Sequence, residues 1–355
     1  MPRLPLADPP ESLCLLRLSA IGDVTHVLPI VATLRQTWPQ TRISWVIGTL
    51  EYQLVRQLPD IEFIVFDKSR GRAAYRELKQ QMQGRRFDVL LAMQVALRAN
   101  LIGRLIPADL RLGFDRARSR DFHGLFINAR IRGAPRVHVL DGFFQFLETL
   151  GIGERRMDWL LKASGADRDW AGQHIGGAPT VIVNPCSSAR RNNYRNWPEE
   201  RQARVIDWLH ERGLRVILTG GPDAAERAFA ERISGLCRSA PLNLVGQTSL
   251  GQLLALLEQA RVLIAPDTGP AHMGTVAGTP VVGLYASSNP LRTGPYNSLE
   301  HCVNAYPEAL QRYNGKTLEQ ARWGERVRDP RVMDLITVDR VIERLQPLLE
   351  APNEG

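Results

Sequence analysis

Apolar runs and helical spacings alternate along this chain. "LCLLRL" (Leu13 to Leu18) is a short apolar run and reads as a strand. Val24, Val27, Leu28, Val31 and Leu34 then fall at helical spacing. Pro29 lies inside that pattern, so the helix either begins near it or is kinked there. "RISWVIG" and "IEFIVF" read as strands, "YRELKQQM" as a helix, and "FDVLLAM" as a strand again. Strand and helix taking turns in this way predict a parallel sheet covered by helices.

Between Gly151 and Pro179 the pattern weakens. "KASGADRDWAGQHIGGAP" is rich in glycine and in small or polar residues, and a domain boundary is expected there. Alternation then restarts. "TVIVNP", "LRVILTG", "LNLVG", "RVLIAP" and "VVGLY" are strand-like. Helices are expected from Glu199 to Arg212, from Asp223, over "LGQLLALLEQA" and over "AHMGTVAG". The closing "VDRVIERLQPLLE" reads as an amphipathic helix as far as Pro347. The expected organisation is a loose leader over residues 1–11, α/β domains over 12–165 and 166–335, and a final helix over 336–355. Two such halves on one linker imply a cleft, and in sheets of this kind ligands sit beyond the carboxyl ends of the strands.

Composition changes this picture little. The chain has 355 residues, 44% hydrophobic and 23% charged, which is ordinary for a globular protein and comfortable for two domains. No apolar run reaches the roughly 18 residues that would span a membrane. The start, "MPRLPLADPPES", has four prolines and no apolar core, so it does not read as a signal peptide. Cys14, Cys186, Cys237 and Cys302 are scattered, which argues against a zinc site or a disulfide framework and for a reduced, cytoplasmic protein. Charge adds more. The formal net charge is +8, and nine arginines (positions 98, 104, 111, 116, 118, 120, 130, 132 and 136) face only Asp109, Asp115 and Asp121 between Arg98 and Arg136. Such a stretch is either a solvated surface or a seat for a phosphorylated or membrane-held substrate.

Three loops at strand ends carry candidate chemistry. In "SAIGDV", Gly22 allows close backbone approach and Asp23 opens a helix; on these residues alone Asp23 is equally a helix cap. A dinucleotide fingerprint is absent, since only one glycine is present. "NPCSSARRNNYRNWP" combines Ser187 and Ser188 with Arg190, Arg191 and Arg195, a set suited to phosphate oxygens but also to a polar surface loop. The turn "LTGGPD", with Gly220, either accommodates a nucleotide or simply reverses the chain. In "APDTGPAH" a strand ends in Asp267, Thr268 and Gly269, and Pro270 starts a helix whose free N–H groups would seat an anion. Thr268 would add a hydroxyl donor there, and His272 lies one turn further on. The Asp-Thr-Gly triplet also occurs in aspartic proteases, but those need two such acids sharing a proton, and it occurs once here, before a helix.

"RLSAIGDVTHVLP", the "SS…RNW" loop and "APDTGPAHMGTVAGTPVVGLYASSNP" together resemble glycosyltransferase family 9, the bacterial lipopolysaccharide heptosyltransferases, in an order and spacing that fit from about residue 12 to about 350. "NPCSSARRNNYRNW" and "NPLRTGPY" look most like the heptosyltransferase I branch. The resemblance implies a GT-B fold: two Rossmann-like α/β domains with parallel sheets facing across a cleft, the last helix packing back on the N-terminal domain. It implies an inverting, metal-independent transfer without cofactor, from ADP-L-glycero-D-manno-heptose bound by the C-terminal domain to Kdo-lipid A bound by the N-terminal domain. Carried over by motif, Asp23 is the general base and Arg195 stands where relatives often have a lysine that neutralises the leaving diphosphate. Ser187, Ser188, Gly220, Asp267, Thr268, Gly269 and His272 bind the donor, while Ser19, Gly22, Arg116, Arg118 and Arg120 serve the acceptor. The protein is expected to be a monomer, cytoplasmic and peripheral to the inner membrane, with no integral membrane segment and no nucleic-acid partner. The rival readings are an enzyme of the same architecture using another sugar nucleotide, as transferase or epimerase, and a basic nucleic-acid-binding protein, for which no helix-turn-helix, zinc-finger or RNP signature is present.

Overall fold

The computed structural model describes residues 4–187 and 193–350. The chain divides into two compact units, Met1–Leu161 and Lys162–Gly355.

The first unit holds β1 (Ser12–Leu16), β2 (Arg42–Gly48), β3 (Ile61–Phe66), β4 (Phe87–Ala92), β5 (Ala108–Gly113) and β6 (Ala129–Arg130). They form one sheet in the order β3-β2-β1-β4-β5-β6. Every pairing is parallel, with Leu13 of β1 set between Ile43 and Val89. All five residues of β1 are buried, as a strand covered on both faces requires. The second unit repeats the plan with β7 (Thr180–Val183), β8 (Arg215–Leu218), β9 (Leu242–Asn243), β10 (Val262–Pro266), β11 (Val281–Tyr285) and β12 (Val303–Asn304). Its order is β12-β11-β10-β7-β8-β9. Counted from its own first strand, each sheet runs 3-2-1-4-5-6, the dinucleotide-binding order. The strand order reverses beside β1 and β4 in one unit and beside β7 and β10 in the other, and in this topology loops at such a reversal hold ligands.

Pro29 marks a start, not a kink: a helix runs Leu28–Thr37 with the proline in its first turn, after a short helix Ile21–Thr25. Further helices lie where the pattern above assigned none, among them Thr49–Val55 between β2 and β3. Leu97–Leu105 and Val139–Leu150 follow β4 and β6. Gly165–Ile175 is capped by Ser164, whose Oγ accepts from Asp167 N (3.1 Å). The expected boundary at residues 165/166 therefore falls in the first turn of a helix. Arg168 Nε and Ala163 N both donate to Glu258 in the helix Leu250–Glu258 (3.0 and 2.9 Å), which ties this segment to the second unit.

The last helix is longer than expected. It runs Val338–Glu350, straight through Pro347. The proline sits in the final turn, where it removes one N–H from the helical ladder, and Arg261 donates to the end carbonyls of Leu348 and Leu349 (2.9 and 3.3 Å). Its buried residues Val338, Val341 and Leu345 belong to the second unit's core, with Val181, Val262 and Val282.

Candidate functional site

In the first unit the loop after β1 is held by a buried cation. Arg17 Nη1 donates to Met93 O (2.7 Å), the guanidinium lies over the Phe143 ring (5.4 Å), and Nη2 pairs with Asp23 Oδ2. Burial pushes the Arg17 pKa down and the Asp23 carboxylate opposes that shift. Asp23 is not the helix cap that its sequence position suggested. It is the third residue of the helix Ile21–Thr25 and reaches back to accept from Ala20 N (3.3 Å), the return arm of a capping arrangement. Its side chain keeps 34% exposure against 11% for Arg17, so the carboxylate is oriented from behind and open in front. Gly22 is buried beside it. Gln94, just past β4, accepts from Leu18 N (2.9 Å) and reaches Ser19 Oγ (3.5 Å). Arg17 and Gln94 were both missed from sequence.

The basic stretch is less uniform than its composition. Arg116 and Arg120 are exposed. Arg118 is engaged by Asp115, through its backbone N (2.9 Å) and Nε (2.6 Å), and lies over the Phe114 ring. Arg111 Nη1 donates to Ile106 O (2.6 Å) and Nη2 to Gly103 O, closing the C-terminal end of the helix Leu97–Leu105. Arg111 is therefore a structural cation and Arg118 an internally paired one.

In the second unit the loops after β7 and β10 meet. Asn184 N donates to Ile264 O (2.9 Å) and its Nδ2 to Thr219 O (2.8 Å), while its Oδ1 accepts from Thr268 Oγ1 (3.2 Å). One asparagine thus joins the ends of β7, β8 and β10. Ser187 donates through N to Asn196 Oδ1 (3.0 Å) and through Oγ to Asn193 Oδ1 (2.8 Å). Ser188, with Arg190 and Arg191, lies outside the described residues. Arg195 Nη1 donates to Asp267 O (2.6 Å) and stands 3.8 Å from Asp267 Oδ2. Arg326 Nη2 is also 3.8 Å from that oxygen, and Ser288 Oγ donates to it (2.8 Å). Asp267 is 7% exposed. A buried carboxylate facing two guanidiniums and a hydroxyl leaves the neighbourhood rich in positive charge.

Asp267 leads into Thr268 and the helix Gly269–Ala277, with Pro270 in its first turn and no side-chain cap on its N–H groups. Uncapped helix N–H groups are anion donors. Gly269 is the first helical residue, so its backbone is one that any L-residue adopts. The Thr268 hydroxyl has acceptors in Asn184 Oδ1 and Pro266 O (both 3.2 Å), so its proton is used inside the protein. His272 is buried one turn in. Behind "LTGGPD", Glu226 Oε2 accepts from Gly221 N (2.7 Å), and burial followed by the charge of Asp223 raises the Glu226 pKa against that hydrogen bond. A Cβ on Gly220 would lie 3.2 Å from both Glu226 Oε2 and Val245, so neighbouring side chains crowd this position. Trp197 Nε1 donates to Ile336 O (2.9 Å), and Gln202 Nε2 donates to Pro185 O (2.9 Å) and Trp197 O (2.8 Å); these fix both ends of the Asn184–Trp197 segment. Asn184, Asn193, Asn196, Glu226, Ser288 and Arg326 were not singled out from sequence.

Residues 75–321 match the family model of glycosyltransferase family 9 (heptosyltransferase). The lipopolysaccharide core heptosyltransferase OpsX of Haemophilus influenzae is 38% identical over 342 residues, covering 96% of this chain and 98% of that protein. Lipopolysaccharide heptosyltransferase 3 of Escherichia coli is 22% identical, covering 94% and 97%. Heptosyltransferase 1 of Pseudomonas aeruginosa is 23% identical, so these two relatives do not separate the branches. Among solved structures, a family 9 glycosyltransferase from Veillonella parvula superposes with a TM-score of 0.77 at 23% identity, covering 96% of this chain and 98% of its own. Escherichia coli heptosyltransferase WaaC with ADP gives 0.71 at 18% identity, covering 95% and 99%. The fold class is the GT-B one, built of two Rossmann-like α/β units with parallel sheets. By its sequence match and its architecture, the chain belongs to glycosyltransferase family 9, the heptosyltransferases.

Proposed function

We propose that the protein transfers heptose from ADP-L-glycero-D-manno-heptose to Kdo of the lipopolysaccharide inner core, with inversion and without a metal, as a monomer in the cytoplasm at the membrane surface. The observation that carries this is the uncapped helix start at Gly269 with Arg195 and Arg326 beside it, a seat for a diphosphate in a family 9 chain. Supporting the donor, Escherichia coli heptosyltransferase WaaC has structures with ADP and with ADP-2-deoxy-2-fluoro heptose.

In this reading Asp23 takes the proton of the acceptor hydroxyl as that oxygen bonds to the anomeric carbon. The bond from that carbon to the diphosphate oxygen breaks, and ADP leaves with the electron pair. The charge that develops falls on the N–H groups of Gly269 and Ala271, with Arg195, Ser187, Ser188 and Thr268 around it. Asp267, Gly220 and His272 complete the donor site, and Ser19, Gly22, Arg116, Arg118 and Arg120 the acceptor site. Fixed dipoles and arginine supply the positive field that a metal supplies elsewhere. Mass spectrometry of the product from ADP-heptose and Kdo-lipid A tests the whole: a mass gain of one heptose, unchanged by EDTA, is expected. Turnover with UDP- or GDP-sugars alone would refute the donor, and loss in EDTA restored by magnesium would refute the metal-free transfer.

A further inference from the structure

Single exposed apolar side chains are ordinary, but clusters are not. In the first unit Leu97, Leu101, Phe122 and Leu125 are 49%, 44%, 75% and 79% exposed. The helix Leu97–Leu105 buries Ala99, Asn100, Ile102 and Gly103. Its outer face shows Leu97, Arg98, Leu101 and Arg104, positions that share one side of a helix. Leucine and arginine thus occupy the face that should be polar.

The turn carrying the other two apolar residues is bolted to this helix. Leu97 N donates to Asp121 Oδ2 (3.1 Å), and Asn100 Nδ2 donates to Asp121 O (2.9 Å). His123 Nδ1 lies 2.7 Å from Asn100 Oδ1, and His123 Nε2 accepts from Phe114 N (3.2 Å). Burial and then the charge of Arg130 push the His123 pKa down to about 4, so the ring is neutral, with its proton on Nδ1. The bolt holds Asp121 and Phe122 in left-handed backbone, at φ 52° and 58°. A phenylalanine rarely adopts that conformation, and here it leaves the ring in water. Arg116 and Arg120 are exposed on the same loop.

We propose that this face docks the protein on an anionic lipid bilayer. Leu97, Leu101, Phe122 and Leu125 enter the boundary between headgroups and acyl chains, and Arg98 and Arg104 meet lipid phosphates. Charge decides the occupant. Apolar side chains among cations of one sign suit a layer that is anionic outside and apolar within. A second copy of this face would bring like charges together. The proposal rests on the membrane-surface location proposed above and is independent of the donor and acceptor assignments.

The test uses the full chain and phosphatidylcholine vesicles with or without phosphatidylglycerol, read by co-sedimentation. The protein binds the phosphatidylglycerol vesicles, and added salt weakens that binding. Phe122→Ser/Leu125→Ser and Leu97→Ser/Leu101→Ser each lower vesicle affinity by about tenfold or more. Arg98→Gln/Arg104→Gln weakens binding to phosphatidylglycerol vesicles more than binding to neutral ones. Melting temperatures confirm that each variant is folded. Turnover of Phe122→Ser/Leu125→Ser on a lipid-free acceptor stays at the parent level, so a wrong substrate shows in the parent's turnover and leaves the vesicle result standing. Absence of vesicle binding by the parent, equal binding by the folded serine variants, or a dimer in sedimentation equilibrium that these variants dissolve would each overturn the proposal.

Discussion

Asp23 has two jobs that substitution can separate. One is structural: its carboxylate pairs with Arg17, a cation almost out of water. The other is the proposed deprotonation. Asp23→Asn keeps the shape and removes the charge, leaving Arg17 with Met93 O, the Phe143 ring and only the weaker charge of Glu51. Breaking a fully buried pair costs about 3–5 kcal/mol, and an exposed pair is worth about 0–1. Arg17 is 11% and Asp23 34% exposed, so solvent screens one partner, and a loss of about 2 kcal/mol is expected on unfolding in urea. Turnover per folded molecule should fall by roughly 10² to 10⁴, the usual worth of a general base. Arg17→Met removes the cation instead, destabilises by a similar amount, and lowers turnover by letting the carboxylate wander. The double variant Arg17→Met/Asp23→Asn leaves no unpaired charge, so its stability loss should be smaller than the sum of the single losses by about 1–2 kcal/mol. Its turnover should stay as low as that of Asp23→Asn. Recovery of turnover together with stability would show that the acid only supports the loop.

Gly269→Val should weaken ADP binding, measured by calorimetry, far more than Thr268→Ser, because the side chain would stand before the helix N–H groups; unchanged affinity in the folded protein would remove the diphosphate seat. Thr268→Val loses the hydroxyl that donates to Asn184, a neutral hydrogen bond worth about 0.5–1.5 kcal/mol, so through the loosened loop ADP affinity in the same calorimetry should fall by about tenfold at most. Arg116→Gln/Arg120→Gln should raise the KM for acceptor and leave that for donor unchanged, whereas Arg118→Gln should also lower stability, since it breaks the Asp115 pair; an equal rise for both substrates would count against the assignment. His123 titrates near pH 4 when folded and near 6.5 when unfolded, so between those values the unfolded chain binds the extra proton and stability falls as the pH falls, by about 3 kcal/mol in all. His123→Gln should flatten that slope in urea titrations, and an unchanged slope would show that another group carries it.

What the sequence disclosed and what it hid have one cause, the environment of each residue. β1, β4, β7 and β10 are apolar runs because helices cover both faces of each sheet, and such runs are legible. β5 was missed because Arg111 interrupts it, and only the structure shows that cation spent on the carbonyls of Ile106 and Gly103. The helix Val139–Leu150 was missed for the opposite reason. It buries nine of its twelve residues, so the polar face that reveals a helical period is largely lost. β6 and β12 have two residues each, too few for any period, whereas the two residues of β9 lie in "LNLVG", which reads as a strand.

The site divides along the same line. Asp267, Thr268 and Gly269 announce themselves because a strand end, a glycine and a helix-starting proline are consecutive in the chain. Their partners do not, because Ser288 and Arg326 reach Asp267 from distant segments, and the link from Arg195 crosses from another strand's loop. Asn184 and Gln94 carry no charge and look like ordinary loop residues, yet each joins the ends of strands that are adjacent only in space. Local chemistry can therefore point to a strand-end loop, but the order of strands in the sheet decides which loops meet. That order places Asn184 beside Thr268 and Gln94 beside Leu18, at the two reversals where a ligand-binding loop is expected. It follows that Asn184→Ala, which touches no proposed substrate atom, should weaken ADP binding by loosening Thr268, while Asn184→Asp should weaken it further by setting a carboxylate near the diphosphate. Calorimetry that finds both variants folded and equal to the parent would mean that Thr268 needs no such support.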